Sequence, residues 1–320
     1  PLGRITVNLA PADVKKSGSL YDLPILLAIL EASGQIQKDY LKESAFIGEL
    51  SLSGDVCGVF GIISMTMQAK KLGFKNIFVP YVNAKEASLI GGINIFGVKH
   101  ISELLDPLKS QNLKPYPKQK ILKKSLNPLL DFSEIKGQYE AKRAVEIAVA
   151  GGHNILMIGP PGSGKSMISK HIVSILPEMT FEEMLETTAI HSVAGIIKPD
   201  EPIITNRPFR SPHYNISVAG LIGGGTNPRP GEISLAHNGI LFLDELAEFS
   251  RESIEALRHP LEDGTVTISR VRNTVTFPCS FMLIAAMNPC PCGYYGHPTK
   301  PCFCSKNKIE RYLSKVSGPI

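Results

Sequence analysis

The sequence has 320 residues, 43% of them apolar, which is enough to bury the cores of two ordinary domains. A formal net charge of +5 permits a phosphate-bearing partner without requiring one, and six cysteines in a chain of this length exclude a disulfide-rich scaffold. The longest apolar run, residues 23–30, is far shorter than the ~20 residues that span a bilayer, and no export signal is recognisable, so we expect a cytoplasmic protein without a membrane partner.

The first hundred residues alternate between strand-like and helix-like runs. The pattern predicts strands over residues 5–9, 46–52 and 77–79, and helices over residues 20–33 and 64–72. We therefore expect an α+β domain over residues 1–108. Residues 109–130 are rich in lysine and proline and contain no acidic residue, which predicts an exposed linker.

The pattern changes at residue 131 to helices alternating with buried strands. It predicts a helix over 141–150, a strand over 154–158 and a helix over 165–176. This βαβ order predicts a parallel sheet, so residues 131–320 form a second domain of the α/β class. The chain begins without methionine and stops without a closing element, from which we expect a fragment.

A phosphate-binding loop follows the predicted strand 154–158 and opens the next helix. Its residues fit the pattern G-x-x-x-x-G-K-[ST] and are Gly159, Pro160, Pro161, Gly162, Ser163, Gly164, Lys165 and Ser166. The glycines let backbone N–H groups converge on phosphate oxygens, and the helix N-terminus adds the positive end of its dipole. We expect this loop to bind ATP, with Lys165 on the β- and γ-phosphates and the Ser166 hydroxyl on Mg²⁺.

Two other apolar strands end in polar side chains. Residues 239–243 run into Asp244 and Glu245, and residues 281–287 run into Asn288. Asp244 is predicted to hold Mg²⁺, Glu245 to orient the water that attacks the γ-phosphate, and Asn288 to sense that phosphate. The alternatives are an acidic helix N-terminus for the pair and an ordinary turn before Pro289 for Asn288.

Four of the six cysteines lie between residues 290 and 304. Cys290, Cys292, Cys302 and Cys304 supply four thiolates, the usual ligands of a structural Zn²⁺. The C-x-C spacing is tighter than the common C-x₂-C, so free thiols remain an alternative, as does His297 replacing one ligand. Cys57 and Cys279 lie in apolar runs and are predicted to be core residues.

Arginines occur in two segments that are candidates for DNA contact. The long Pro/Gly-rich insertion over 187–238 carries Arg207, Arg210 and Arg229, and residues 265–277 form a hairpin candidate with Arg270 and Arg272. Arginines on such hairpins could neutralise DNA phosphates. The alternative is that they contact nucleotide or a neighbouring subunit, an ambiguity that Arg258 and Arg311 share.

Three strands ending in a phosphate loop, an Asp-Glu pair and an Asn resemble the AAA+ class of P-loop ATPases. Further runs resemble the magnesium-chelatase-related ComM/YifB family over nearly the whole chain, namely residues 206–213, 223–234, 243–246 and 288–293. The resemblance implies that the segment around Gly137 and Gln138 lies against the adenine. It also implies that the arginine finger and the lid with sensor 2 come after residue 320.

Residues 1–108 resemble the peptidase domain of Lon proteases, which has a ribosomal-protein-S5-like fold. The matching stretches are residues 15–19, 50–73, 77–80 and 98–101. Ser19 falls where the resemblance places the nucleophile, but Met65 occupies the place of its lysine base. Methionine cannot accept a proton, and Lys70 and Lys71 lie further along the helix, so we expect no proteolytic activity.

Together the resemblances imply an ATP-driven DNA translocase or branch-migration helicase that works as a homohexamer. The alternative is a chelatase-type motor that remodels a protein partner to insert Mg²⁺ into a tetrapyrrole. The Lon-like domain and the cysteine cluster favour the DNA motor.

Overall fold

The computed structural model describes residues 4–9, 18–36, 42–105, 113–118, 130–198, 200–225, 228–270 and 273–316. The chain divides into two compact units, one made of Pro1–Leu122 with His191–Ile204, the other of Lys123–Ile190 with Thr205–Ile320. The assignment of His191–Ile204 to the first unit makes both units discontinuous in sequence. None of the helices in these described ranges has the length and apolar character needed to cross a membrane.

The first unit combines a parallel sheet with short helices. In chain order it contains α1 (Asp22–Ala32), β1 (Ser44–Phe46), β2 (Glu49–Leu50), β3 (Val56–Cys57), α2 (Ile62–Lys71), β4 (Asn76–Pro80), α3 (Tyr81–Ala87), β5 (Asn94–Val98) and α4 (Ser102–Leu105). Strands β1, β4 and β5 form a parallel sheet in the order β1-β4-β5, and β2 pairs with β3 antiparallel. Phe46, Phe78 and Phe96 stack across the sheet with ring centroids 4.7 and 4.8 Å apart.

The predicted helices 20–33 and 64–72 are confirmed as α1 and α2, and strand 77–79 as β4. The single strand predicted over 46–52 is wrong, because the run is split at residues 47 and 48: β1 pairs with β4, β2 pairs with β3, and between them the Gly48 N–H donates to Leu20 O. Residues 5–9, predicted as a strand, have no regular secondary structure. The Lon-like residues 15–17 lie outside the described residues, as does most of the predicted linker; Ser19 opens a single 3₁₀ turn, Ser19–Tyr21.

From residue 139 the chain follows the predicted alternation of helices and strands. The elements are α5 (Tyr139–Gly151), β6 (Ile155–Ile158), α6 (Lys165–His171), α7 (Phe181–Ala194), β7 (Phe209–Arg210), α8 (Val218–Ile222), β8 (Gly223–Gly224), β9 (Arg229–Pro230), α9 (Glu232–Leu235), β10 (Ile240–Leu243), α10 (Arg251–Glu255), α11 (Arg258–Asp263), β11 (Thr265–Arg270), β12 (Asn273–Pro278), β13 (Met282–Met287) and α12 (Lys306–Leu313). Helices 141–150 and 165–176 are confirmed as α5 and α6, although the last turns of the latter are 3₁₀.

The second unit is built on a four-stranded parallel sheet in the order β6-β13-β10-β7, which confirms the predicted α/β class. Every residue of the two inner strands, β10 and β13, is buried, as expected for parallel strands covered on both faces. Helices α5 and α6 contribute Val145, Val149 and Ile168 to the core against these strands. The insertion over 187–238 contains the antiparallel pair β8–β9, and β11 pairs with β12 in a second hairpin, which confirms the one predicted there.

Candidate functional site

The carboxyl ends of three neighbouring strands bring the predicted phosphate-site residues together. β6 leads into the loop 159–164, β10 into Asp244 and β13 into Asn288. The register pairs Met287 with Ile158 and Leu243 with Ala285, so the three strands end at one edge of the sheet. In open parallel sheets this edge is where ligands bind.

Lys165 lies at the centre of this group. Its Nζ donates to the carbonyl oxygens of Gly159 at 2.7 Å and Pro160 at 3.0 Å, and it lies 3.4 Å from Asn288 Oδ1. Burial lowers the pKa of the Lys165 ammonium, and the Asp244 carboxylate opposes that shift. The carbonyls hold the ammonium group inside the loop, where it can meet a phosphate.

Ser166 and Asp244 form the second contact across the site. The Ser166 hydroxyl donates to Asp244 Oδ2 at 2.6 Å, and the Glu245 N–H donates to Asp244 Oδ1 at 3.0 Å. A hydroxyl and a carboxylate oxygen this close, beside a loop that binds phosphate, are the hard oxygen ligands that Mg²⁺ prefers. The residues present therefore fit a magnesium ion held between loop and strand.

Glu245 adopts a backbone conformation that the sequence does not signal. Its φ of 53° lies in the left-handed region, which is uncommon for a residue other than glycine, and its side chain is exposed. The 3₁₀ turn that follows, Leu246–Glu248, starts with the fully buried Leu246 and holds this geometry in place. Strain of this kind is concentrated at functional sites.

A cleft of about 390 Å³ opens over the loop and the strand ends. Its lining comprises the loop from Pro161 to Ser166, Met167, Asp244, Glu245, Met287 and Asn288. Gly137 and Gln138, predicted to lie against the adenine, precede α5 with left-handed backbones, and Gln138 Nε2 donates to Ser163 O at 3.3 Å. Gln138 thus contacts the phosphate loop itself; its role toward adenine stays a prediction.

The four clustered cysteines meet at one point. The Sγ atoms of Cys290, Cys292, Cys302 and Cys304 all lie within 4.8 Å of one another, and all six cysteines are free thiols. A hydrogen bond from the Tyr294 backbone lowers the pKa of Cys292 to about 6, whereas burial and the neighbouring cysteines raise the pKa values of Cys302 and Cys304, so in the absence of metal Cys292 ionises before these two. His297 is not in the cluster; its Nδ1 accepts from the N–H groups of Thr299 and Lys300.

The remaining cysteines differ from each other. Cys279 is buried as predicted, and burial raises its pKa to about 12. Cys57 is only half-buried in β3, so its assignment to the core is wrong; the buried residue of this two-residue strand is its neighbour Val56, whose side chain points to the opposite face.

Two of the arginines predicted to contact DNA instead form internal ion pairs. Arg207 is bound to both carboxylate oxygens of Glu183 and donates to the carbonyls of Pro177 and Asn238. Arg210 makes a bidentate pair with Glu232 at 2.6 and 2.7 Å, which raises its pKa. Their donors are engaged within the protein, so the structure does not support a DNA contact for either.

The other predicted arginines remain candidates for contact with DNA, nucleotide or a neighbouring subunit. Arg229 is exposed in β9, and Arg270 ends β11 at the tip of its hairpin, while Arg272 lies outside the described residues. Arg258 pairs with Glu262 one turn along α11, and Arg311 is an exposed residue of α12.

One contact of the site, between Gly293 and Pro161, was not predicted from the sequence. Gly293 packs against Pro161 of the phosphate loop so closely that a β-carbon there would lie 2.5 Å from Pro161 Cδ. The sequence offered a single signal for it, a glycine directly after the Cys-Pro-Cys run.

Comparison with known proteins identifies relatives of both parts of the chain. The family described as magnesium chelatase, subunit ChlI, matches residues 131–320, and a second, described as subunit ChlI of Mg-chelatase, matches residues 1–83. Competence protein ComM of Haemophilus influenzae is 43% identical over the whole chain, which covers 63% of ComM. The uncharacterized protein YifB of Escherichia coli is 44% identical, again over the whole chain and 62% of YifB.

A more distant match is Lon protease 2 of Bacillus subtilis, 30% identical over 146 residues, which are 42% of this chain and 26% of that protease. The chain thus spans a little under two thirds of the length of ComM and YifB.

Proposed function

Since the chain belongs to the magnesium chelatase subunit ChlI family and is of the ComM/YifB type, we propose that it hydrolyses ATP within a ring-forming AAA+ motor that acts on DNA. The observation that carries the proposal is the meeting of Lys165, Ser166, Asp244 and Asn288 at the carboxyl edge of one parallel sheet. A cation, a hydroxyl and carboxylate pair suited to Mg²⁺, and an amide thus surround the cleft that would receive the phosphates.

Each side chain has a separate task in this reaction. Lys165, released from the loop carbonyls, would bind the β- and γ-phosphates, and Ser166 with Asp244 would hold Mg²⁺, which neutralises phosphate charge. Glu245, exposed at the cleft, would orient and polarise the attacking water. Asn288, next to Lys165, would hydrogen-bond the γ-phosphate or that water. The position of Asn288 at the end of β13 would therefore depend on whether the γ-phosphate is present.

The support for DNA as the substrate comes from the hairpin β11–β12. Its inward residues Val266, Ile268 and Phe277 are buried, and its register leaves only residues 271 and 272 between the strands. Arg270 is the last residue of β11 on this packed base, and Arg272 follows it two residues later in the sequence. Two arginines so close together in the sequence would suit contact with a phosphate backbone.

The decisive measurement is ATP turnover by the full-length protein with and without forked or four-way DNA, at low and moderate salt. We expect stimulation by DNA that weakens as salt rises. Lys165→Ala should abolish turnover, and Arg270→Ala/Arg272→Ala should lose DNA stimulation while Arg143→Ala, which removes an exposed arginine of α5, should not. If DNA neither binds to the protein nor changes its rate of ATP turnover, the result would favour the alternative, a chelatase-type motor that remodels a protein.

Assembly is also part of the proposal. We propose that the protein works in the cytoplasm as a homohexamer, because AAA+ sites of this type are completed by an arginine from a neighbouring subunit, worth about 10³-fold or more in rate. Light scattering with and without ATP tests this, and a monomer at every protein concentration would contradict it.

A second proposal concerns the four cysteines, which we infer to hold one Zn²⁺. Four thiols within 4.8 Å match the donor set of a structural zinc site. Elemental analysis of carefully purified protein should find about one zinc per chain; a content well below that, or iron in its place, would overturn the assignment.

A further inference from the structure

The residues 290–304, here called the cysteine knuckle, have the dimensions of a single metal site. The Sγ atoms of Cys290, Cys292 and Cys302 lie 3.3, 3.6 and 3.7 Å from one another, and the Sγ atom of Cys304 lies within 4.8 Å of them. In a tetrahedron with Zn–S bonds of about 2.3 Å the sulfur atoms lie about 3.8 Å apart. Cys290 is fully buried and its Sγ accepts the Tyr295 N–H at 3.3 Å. The four thiols are therefore spaced closely enough to bind a single ion.

The turn of the knuckle touches the phosphate loop directly. The Gly293 N–H donates to Cys290 O at 2.9 Å, and this turn brings Gly293, with a φ of 84°, onto the ring of Pro161. A β-carbon at Gly293 would lie 2.5 Å from Pro161 Cδ and 2.8 Å from Cγ. Pro161 follows Pro160, whose carbonyl holds the Lys165 ammonium, so the contact reaches the residues that position the site's cation.

The knuckle is tied to the other two strand ends as well. Cys290 is separated from Asn288 by a single proline, and the buried Tyr312 of α12 lies close to the Asn288 backbone. Lys315 Nζ, just after α12, donates to Ala247 O at 2.8 Å in the turn that follows Glu245. The knuckle and its helix thus contact all three parts of the site, although they contribute no side chain to the cleft.

We infer that the metal-loaded cysteine knuckle is a positioning element of the nucleotide site, which sets the phosphate loop through the Gly293–Pro161 contact. This inference rests on the proposed ATP binding at that loop. Loss of the metal would free the turn at Gly293 and leave Pro161 without its packing partner. The consequence would be weaker ATP binding, although no cysteine touches the nucleotide.

Two glycines of the knuckle provide a matched test of the contact. Gly293 and Gly296 both have left-handed backbones, with φ of 84° and 74°, so alanine strains the two turns alike. A β-carbon at Gly296 meets nothing within 4 Å, whereas one at Gly293 meets Pro161. Binding of a fluorescent ATP analogue and zinc content are measured for Gly293→Ala and Gly296→Ala.

We expect both variants to keep their zinc, Gly293→Ala to raise the Kd for the analogue at least about fivefold, and Gly296→Ala to change it less than about twofold. In the double variant Pro161→Ala/Gly293→Ala the clashing ring atoms are gone, so its Kd should return to that of Pro161→Ala alone. Equal Kd values for the two single variants would overturn the inference, and so would a Gly293→Ala defect that the double variant retains.

The metal is tested separately with Cys302→Ser and, as control, Cys57→Ser, a half-buried cysteine outside the cluster. Cys302→Ser should lose zinc and bind the analogue more weakly, and Cys57→Ser should do neither. Zinc loss with unchanged Kd would overturn the positioning role. If the unaltered protein binds no ATP, the proposed function fails instead, which separates the two conclusions.

Discussion

Asp244 and Glu245 are neighbours in sequence with different surroundings. The Asp244 carboxylate accepts hydrogen bonds from the Ser166 hydroxyl and from the Glu245 N–H, while Glu245 projects from a left-handed backbone into the open cleft. The first carboxylate is held in place and suits a metal ion; the second is exposed to the water it would orient. The different tasks proposed for these two residues follow from their geometry, since both side chains are carboxylates.

Glu245→Gln should separate binding from chemistry. The amide has nearly the shape of the carboxylate but cannot polarise water as strongly, so ATP should bind with a Kd within about threefold of the unaltered value while turnover falls by about 10² or more. Equilibrium binding and phosphate release measure the two quantities. Asp244→Asn serves as the comparison, because it should weaken magnesium-dependent binding; equal effects of both changes would contradict separate roles.

His237 makes the second unit sensitive to mild acid. The imidazole is buried, and burial lowers its pKa below the ordinary value of 6.5, with Glu186 opposing the shift. Its Nδ1 accepts the Ser280 N–H at 3.0 Å and must be unprotonated to do so. The folded protein therefore binds fewer protons than the unfolded chain as pH falls through about 6.5, so the free energy of unfolding decreases below that pH.

Denaturant unfolding between about pH 7.5 and 5.5 checks this expectation. His237→Asn keeps an acceptor near the position of Nδ1 but does not titrate, so its stability should fall less steeply over this range. The same slope in both proteins would place the acid sensitivity elsewhere.

At the scale of elements, Arg207 links helix α7 to the residues before β10. Its side chain is only 16% exposed and joins Glu183 of α7 to the Asn238 carbonyl. Arg207→Ala would leave the Glu183 carboxylate and three backbone carbonyls, those of Pro177, Glu178 and Asn238, without these donors, and we expect a loss of about 2 kcal/mol or more in the free energy of unfolding. Arg143→Ala, at an exposed ion pair, should change it by about 0.5 kcal/mol or less. Similar losses would contradict a structural role for Arg207.

The strands and their polar ends could be predicted from the sequence, because a buried strand must be an apolar run and its last residue is local information. The partners of Arg207 and Arg210 could not, since Glu183 and Glu232 are more than twenty residues away and no local pattern marks them. The contact of Gly293 with Pro161 could not be predicted either, because the two residues are far apart in the sequence. The hairpin β11–β12 could be predicted because apolar and polar residues alternate along its strands, the period-two pattern of a half-buried strand.

At the scale of the whole molecule, the division into two units differs from a simple succession of domains. The two family matches, over residues 1–83 and 131–320, follow one another in sequence, and the fold returns to the first unit for His191–Ile204. The boundary between the two units near residue 122 is marked in the sequence by a segment rich in lysine and proline. No comparable change in composition occurs at residues 191 and 204, so the assignment of His191–Ile204 to the first unit is evident only from the structure.

The order of the four-stranded sheet has a consequence for handling the protein in solution. Within the described ranges β6, the strand that carries the phosphate loop, has a neighbour on one side only, and two apolar side chains along it, Leu156 and Ile158, are 42% and 54% exposed. An open strand edge flanked by exposed apolar groups is a template for pairing with another polypeptide. We expect this chain alone to self-associate as its concentration rises, and Leu156→Lys to shift the onset of light scattering to higher concentration.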